Sequence, residues 1–592
     1  MSKKLLEMEK VFDRDEISKI IANQWDTFSQ QRQPKVSEWT ELRNYIFATD
    51  TTTTSNSDLP WKNSTTLPKI CQIRDNLHSN YVSALFPNDD WLRWEGYKQG
   101  DAQKAEKVEA YMSNKTRVSH FRTEMSKLLY DYIDYGNAFA TVAFEDKRRI
   151  INGEEVTSYV GPVVKRISPL DIVFNPLASD FGSTFKIVRS VVTLGEIKKM
   201  VQDEPDNEDL ASALEKRSET VRKMGAYSLE DWAKYQGFYV DGFGSIYEYY
   251  TSGYVELLEF YGDLHDPSTG EIKEDRIITI MDRSHVIRDI EAPYWFGDSP
   301  IYHVGWRFRP DNMWAMGPLD NLVGLQYRLD HLENLKADAM DLCVHPPLKI
   351  YGEVEEFEWG PSAEIHMDAD GDVQELGKNA QWVVQAQQDI QLIENKMEAF
   401  AGAPREAMGI RTPGEKTAYE VQALQNSAGR IFQEKINTFE VELLEPILNA
   451  MLETARRNMT RTDTAKVMDD DLGVQGFMEV TKEDITATGR LRPIGARHFA
   501  AQAQLIQNLT NLGNSVIGEM VRPHTSSKQL SKLVEDVFGL ERYSLFSPNI
   551  GVEEELETQS MMQQANNELA QQQAAATGGL EDELQNPNQN PQ

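Results

Sequence analysis

"MGPLDNLVGLQYRLDHLENLKADAMDLCVHPPLKI", Met316–Ile350, is the stretch on which the fold turns. Pro318 suits a first helical turn, where its missing N–H costs nothing. Leu322, Leu325, Leu329, Leu332 and Leu335 follow at steps of three or four, and Ala339 and Leu342 extend the stripe. That spacing is one face of an α-helix. Pro346 and Pro347 end it, because neither can continue the hydrogen-bond ladder. The predicted helix is about 25 residues, roughly 37 Å at 1.5 Å per residue.

Beyond it, 346–382 reads as a small non-helical unit with "EVEEFEWG" and "EIHMDADGD". Helical spacing resumes at about Gln385 and runs to Phe400. A Gly- and Pro-rich bend follows, "GAPREAMGIRTPGEKTAYEVQALQ" (Gly402–Gln425), which gathers Arg405, Arg411 and Lys416 in an otherwise acidic chain. From about Lys416 to Met459 runs the longest helical signal, through Val421, Leu424, Ala428, Phe432, Ile436, Phe439, Leu443, Ile447 and Met451. Unbroken it would span roughly 65 Å. Gly429 weakens it, and Pro446 removes a donor and clashes one turn back, so a kink is expected near Glu442–Pro446. Two helices flanking a small unit make a stalk with a tip. Its apolar stripe is covered either by neighbouring copies packed side by side, in a ring if the contact closes, or by the body of an elongated monomer.

Towards the N-terminus, "EISKIIANQWDTF" and "VSEWTELRNYIF" read as helices. "KICQIRDNLHSNYVSALFP" presents Ile70, Ile73, Leu77, Tyr81 and Leu85 on one side. Ala105–Gly136 reads as one or two helices stopped by Gly136 in a left-handed conformation. "NAFATVAFE" begins a mainly β region, to about Arg309, of short Val- and Ile-rich runs. A helical, acidic insert, Leu194–Lys234, is read as a surface excursion. After Asp484 the pattern is turn-rich, then helical. From about Gly551 it is Gln- and Asn-rich, either without structure or a terminal helix over Glu553–Ala576.

A chain of 592 residues is too long for one core, and three to five folding units are expected. Its 40% hydrophobic and 26% charged residues are those of a soluble globular protein. Two cysteines, Cys71 and Cys343, make no disulfide framework, and neither has a neighbour in sequence that marks an activated thiolate. The opening "MSKKLLEMEKVFDRDE" has no apolar signal core, and no apolar run approaches the ~18 residues of a membrane span. The net charge of −33 argues against a tight, general nucleic-acid binder, which would show a basic face. It reads either as solubility or as a surface that stays near a polyanion without gripping it.

Motifs for chemistry fail one by one. "LGKNA" (Leu376–Ala380) lacks the first Gly and the hydroxyl residue of a phosphate loop. "GFGS" (Gly242–Ser245) completes neither a dinucleotide fingerprint nor a nucleophile elbow. "DADGD" (Asp368–Asp372) is followed by Val373 where a calcium loop needs Gly. "DDD" (Asp469–Asp471) reads as a solvated charge run before a metal site. The histidines show no ligand spacing, and His331, within a helix, and His345, before a proline, read as structural. No enzyme, cofactor or metal is expected.

Four segments together resemble the portal protein, or head-to-tail connector, of tailed bacteriophages, closest to the short-tailed podovirus type. They are "LPWKNSTTLPKICQIRDNLHSNYVSALFPNDDWLRW" (Leu59–Trp94), the opening stretch, "TPGEKTAYEVQALQNSAGRIFQEKINTFEVELLEPIL" (Thr412–Leu448) and "ITATGRLRPIGARHFAAQAQLIQNL" (Ile485–Leu509). Their order and spacing over about 60–550 carry the likeness. The resemblance implies an α+β, multidomain, mainly helical ring subunit. Its regions would be a mixed α/β wing (1–317), a descending stem helix (318–343), a clip (344–384) and a returning stem helix (385–400). A tunnel loop (401–415), a long kinked helix with a return to the wing (416–483), a crown (484–550) and a tail (551–592) would follow. It implies a dodecamer at one capsid vertex of the virion, assembled in the host cytoplasm. Double-stranded DNA would pass through it in packaging and ejection. Terminase, a tail adaptor, and major capsid and scaffolding proteins would be its partners, with no membrane and no ATPase of its own.

On that reading the acidic wall repels DNA at close range, screened beyond ~8–10 Å at physiological salt. Sparse rings of Arg405, Arg411 and Lys416 then guide it. Alternatively Arg405 or Lys416 pairs with Glu406, Glu415 or Glu420 and never meets DNA. Rival classes are another oligomeric virion or scaffold protein without a DNA channel, and a nucleic-acid enzyme with an unrecognised site.

Overall fold

A computed structural model describes residues 14–47, 63, 65–86, 91–97, 104–151, 154–203, 207–223, 253–265, 270–292, 300–352, 366, 371–376, 381–401, 431–459, 463–469, 474–486 and 488–493. The N-terminal signals merge into one helix, α1 (Arg14–Ile46), with Pro34 inside it. It serves three hydrophobic clusters in turn, through Ile17, Ile21 and Trp25, then Trp39, then Leu42, Tyr45 and Ile46. In α2 (Lys69–Leu85) the predicted stripe Ile70, Ile73, Leu77, Tyr81 and Leu85 is buried throughout. A short strand, β1 (Leu92–Gly96), follows.

Ala105–Gly136 forms two helices, α3 (Ala105–Val118) and α4 (Phe121–Asp134), because His120 takes a left-handed conformation between them, φ 56°. Gly136 stops α4 at φ 67°, and a Cβ there would run into the main chain of Gly317. The turn is therefore open to glycine alone.

Two antiparallel sheets occupy the β region. One has the order β3–β2–β9, from β2 (Asn137–Ile151), β3 (Glu154–Ile167) and β9 (Ile301–Gly305). The other runs β4 (Ile172–Phe174), β5 (Lys186–Thr193), β6 (Tyr254–His265), β7 (Ile272–Met281) and β8 (His285–Glu291) in sequential order. The insert between β5 and β6 contains α5 (Leu194–Asp203) and α6 (Glu208–Lys223). It is not the surface excursion that its charge suggested. Ile197, Leu210 and Ala213 pack with Val255, Leu257, Met281 and Ile287 on one sheet face. Leu258, Phe260, Ile278 and Ile280, of opposite parity, meet α1 on the other. A sheet covered on both faces needs two layers, and the insert supplies the second.

The chain then makes a hairpin of β10 (Arg307–Arg309) and β11 (Asn312–Met316), a 3-10 turn (Asp320–Leu322) and α7 (Val323–Val344). Strands β12 (Leu348–Tyr351) and β13 (Asp372–Glu375) pair antiparallel before α8 (Gln381–Phe400). Residues 431–439 are helical, Glu440–Leu444 form a π turn, and α9 (Glu445–Asn458) continues. Pro446 is in the first turn of α9, directly after the π turn. The widened turn falls where the proline cannot donate to the carbonyl of Glu442.

A hairpin of β14 (Asp463–Asp469) and β15 (Val474–Val480) leads to α10 (Lys482–Ile485) and β16 (Gly489–Pro493), which pairs antiparallel with β1. The architecture is mixed α/β, and no helix among the described residues is long and apolar enough to cross a membrane. The chain divides into two units, Met1–Ala496 and Arg497–Gln592, and the described residues all belong to the first.

Candidate functional site

Helices α7 and α8 lie side by side and antiparallel. Lys336 of α7 donates to Gln387 of α8 at 3.0 Å, and the last turns of α8 reach the 3-10 turn that precedes α7. Of the predicted leucine stripe, Leu322 and Leu329 are fully buried, Leu332 is nearly so, and Leu325 is half-buried against the same cluster. Ile390, Ile393 and Met397 of α8 meet them there. Leu335, one turn further along, is 47% exposed. The stripe therefore runs off the core towards the β12–β13 end of the pair.

At that end the apolar side chains are uncovered. Met340 and Val344 of α7, Ile350 of β12, Leu376 just after β13, and Trp382 and Val384 of α8 are all exposed, Trp382 at 69%. Scattered exposed leucines are ordinary on a protein surface. Here six large apolar residues are exposed where two helices meet a two-stranded sheet, the kind of surface from which a contact with another molecule is argued.

A second face of α7 is polar, and the leucine reading overlooked it. Gln326, Asp330, Asn334 and Asp338 recur every four residues, so they stack on one face. Each accepts a main-chain N–H, three of them from the segment before α2 and one from its first turn. Asn63 donates to Asp338 Oδ1 at 2.7 Å, Thr65 to Asn334 Oδ1 at 2.8 Å, Leu67 to Asp330 Oδ1 at 2.9 Å, and Ile70 to Gln326 Oε1 at 3.3 Å. Gln326 and Asn334 donate back to the carbonyls of Leu67 and Thr65. The Asn63 amide also bridges Asp338 and Asp341. Lys69 pairs with Glu398 of α8 at 2.8 Å, both side chains buried. The period-four polar row in "QYRLDHLENLKAD" was the available sequence signal, but nothing local names its partner.

Other titratable groups are built into the packing. His303 stacks on Phe139 at 4.4 Å and bonds Asn137 Oδ1 at 3.1 Å, and burial pushes its pKa down to about 3. The His78 ring stacks on Tyr130 and touches Ser126 Oγ at 2.9 Å; burial lowers its pKa as well. Burial and the Asp75 carboxylate raise the Cys71 thiol, which opposes thiolate formation. Arg283 forks onto Glu256 and Arg217 pairs with Asp282, all buried beneath the β7–β8 turn. A hollow beside α4 holds His120, Glu124, Lys147 and Lys165, and both lysines pair with Glu145. His331 is half-buried within α7, and His345 caps its end. Among the described residues no group of three His, Cys, Asp or Glu is placed to hold a metal ion.

Arg405, Arg411, Lys416 and Gly429 lie outside the described residues, as do most of 401–415 and all of 494–592. The opening of the region expected to be a crown does fall within them. There β16 pairs with β1, and Leu491 joins the large helical core.

No protein-family model matches the chain, and no curated protein is significantly similar to it.

Proposed function

We propose that the chain is the subunit of a portal-type ring, a conduit for double-stranded DNA at one capsid vertex. Exposed apolar side chains at the β12–β13 end of the α7–α8 pair carry this reading. A neighbouring copy bringing its own pair alongside would cover them, and a head-to-tail contact of that kind closes as a ring when the rotation permits. The net charge of −33 suits a wall that DNA slides past, because a basic channel would hold its phosphates. Twelve subunits, the guiding role of Arg405, Arg411 and Lys416, and docking of terminase, tail adaptor, capsid and scaffolding proteins follow from the resemblance of the sequence segments.

Negative-stain microscopy and sedimentation of the purified chain test the proposal. The expected result is rings with a central hole. A stable monomer at micromolar concentration would overturn the ring. A closed assembly without a hole would overturn the conduit and favour a structural virion or scaffold component.

A further inference from the structure

Acidic side chains outnumber basic ones 94 to 61 in this chain, so an arginine readily finds a carboxylate. In and around the two sheets several do: Arg166 pairs with Asp131, Arg189 with Asp171, Arg276 with Asp289 and Arg283 with Glu256. The β10–β11 hairpin is different. Arg307 and Arg309 are exposed, and among the described residues neither has an ion-pair partner. Asp311, exposed at the turn, is within ion-pair reach of neither.

The strand that carries them is held fast. Two positions apart, the arginines project to one side, about 6.8 Å from each other along the strand. Phe308 projects to the other. Its ring meets His303 at 5.6 Å and lies over Gly305, where a Cβ would strike it. Just before the strand, buried Trp306 donates its N–H to Gly136 at 2.9 Å. Across the hairpin, Ala315 of β11 donates to Asn137 Oδ1 at 3.0 Å and accepts from Asn137 Nδ2 at 3.1 Å. β10 is three residues long and is followed by Pro310, so its edge is too short to add a foreign strand. What the hairpin offers is its side chains.

A guanidinium is a planar fork matched to carboxylate or phosphate. Carboxylates on a protein surface come at irregular spacing. Two forks at an even step on one side of a strand suit a linear polyanion with a regular repeat, and successive phosphates of a nucleic-acid strand have such a step. We propose that Arg307 and Arg309 form a phosphate-contact site for DNA on the outer strand of the β10–β11 hairpin. Contacts of this kind place the duplex without reading its bases. Two cations on an acidic chain make a contact weak enough to be left again. The site rests on the conduit reading for its DNA but not on the ring.

Binding of the full chain to labelled duplex DNA, followed by fluorescence anisotropy from about 50 to 200 mM salt, tests it. Each phosphate neutralised adds about 0.9 to the slope of log K on log salt. Arg307→Gln with Arg309→Gln should lower that slope by about 1.8, so the parent loses about tenfold more affinity than the variant across the range. Either substitution alone should account for about half. Both side chains are already in water, so thermal unfolding should match the parent. Lys198→Gln with Lys199→Gln removes the same charge from an exposed part of α5 and should leave the slope as it is. An unchanged slope in the arginine variant, an equal fall in the lysine variant, or no binding by the parent at about 50 mM salt would overturn the site. An unchanged slope together with lost assembly would assign the arginines to a neighbouring copy's carboxylates instead. A parent that binds DNA through these arginines but stays monomeric would overturn the ring alone.

Discussion

Replacing Trp382 by Glu should leave each subunit folded and abolish assembly. A tryptophan buries about 150–250 Å². With 69% of Trp382 exposed in the isolated chain, about 100–170 Å² remains for a partner to cover. At about 25 cal/mol per Å² that area contributes roughly 2.5–4 kcal/mol to each copy–copy contact. Losing it weakens each contact by a factor on the order of 10²–10³. A carboxylate pressed into the same apolar seat adds a desolvation cost. In a ring the loss recurs at every interface, so the variant should be monomeric where the parent is fully assembled. Folding should change little, within about 0.5 kcal/mol, because the side chain is already in water. Sedimentation velocity over a concentration series reads assembly, and thermal unfolding reads the fold. A Trp382→Glu protein that sediments like the parent would remove the β12–β13 end of the pair from the interface and refute the reasoning.

Three further outcomes follow from buried contacts. Gly136→Ala meets both a left-handed φ and the main chain of Gly317, so it should cost at least ~3 kcal/mol, read as a fall in Tm. Lys69→Met alone should cost about 3–5 kcal/mol by stranding Glu398 in a buried site, whereas Lys69→Met with Glu398→Leu should recover most of the loss; equal denaturation midpoints for the two would contradict the pairing. His303 is neutral in the fold, with its pKa held near 3 by burial, but protonates near 6.5 when unfolded. Its contribution is therefore present above pH 6.5 and lost as pH falls towards 3. Between pH 7 and pH 5 it should amount to about 1–2 kcal/mol, and His303→Phe should flatten that part of the stability–pH curve.

Features that neighbours along the chain impose were legible from the order of residues alone. The stripe of α2, the halt at Gly136, the end of α7 before Pro346 and the short Val- and Ile-rich runs of the five-stranded sheet all rest on backbone sterics and residue pattern within a few positions. Which partner each surface meets came from the packing of distant segments. β1 pairs with β16 from the far end of the described chain, the acidic insert covers a sheet face, Leu329 is buried while Leu335 is not, and the polar row of α7 takes the N–H groups of 63–70. Periodicity announces that a face exists. What covers it depends on which distant segment the chain brings alongside, and only packing of the whole unit settles that.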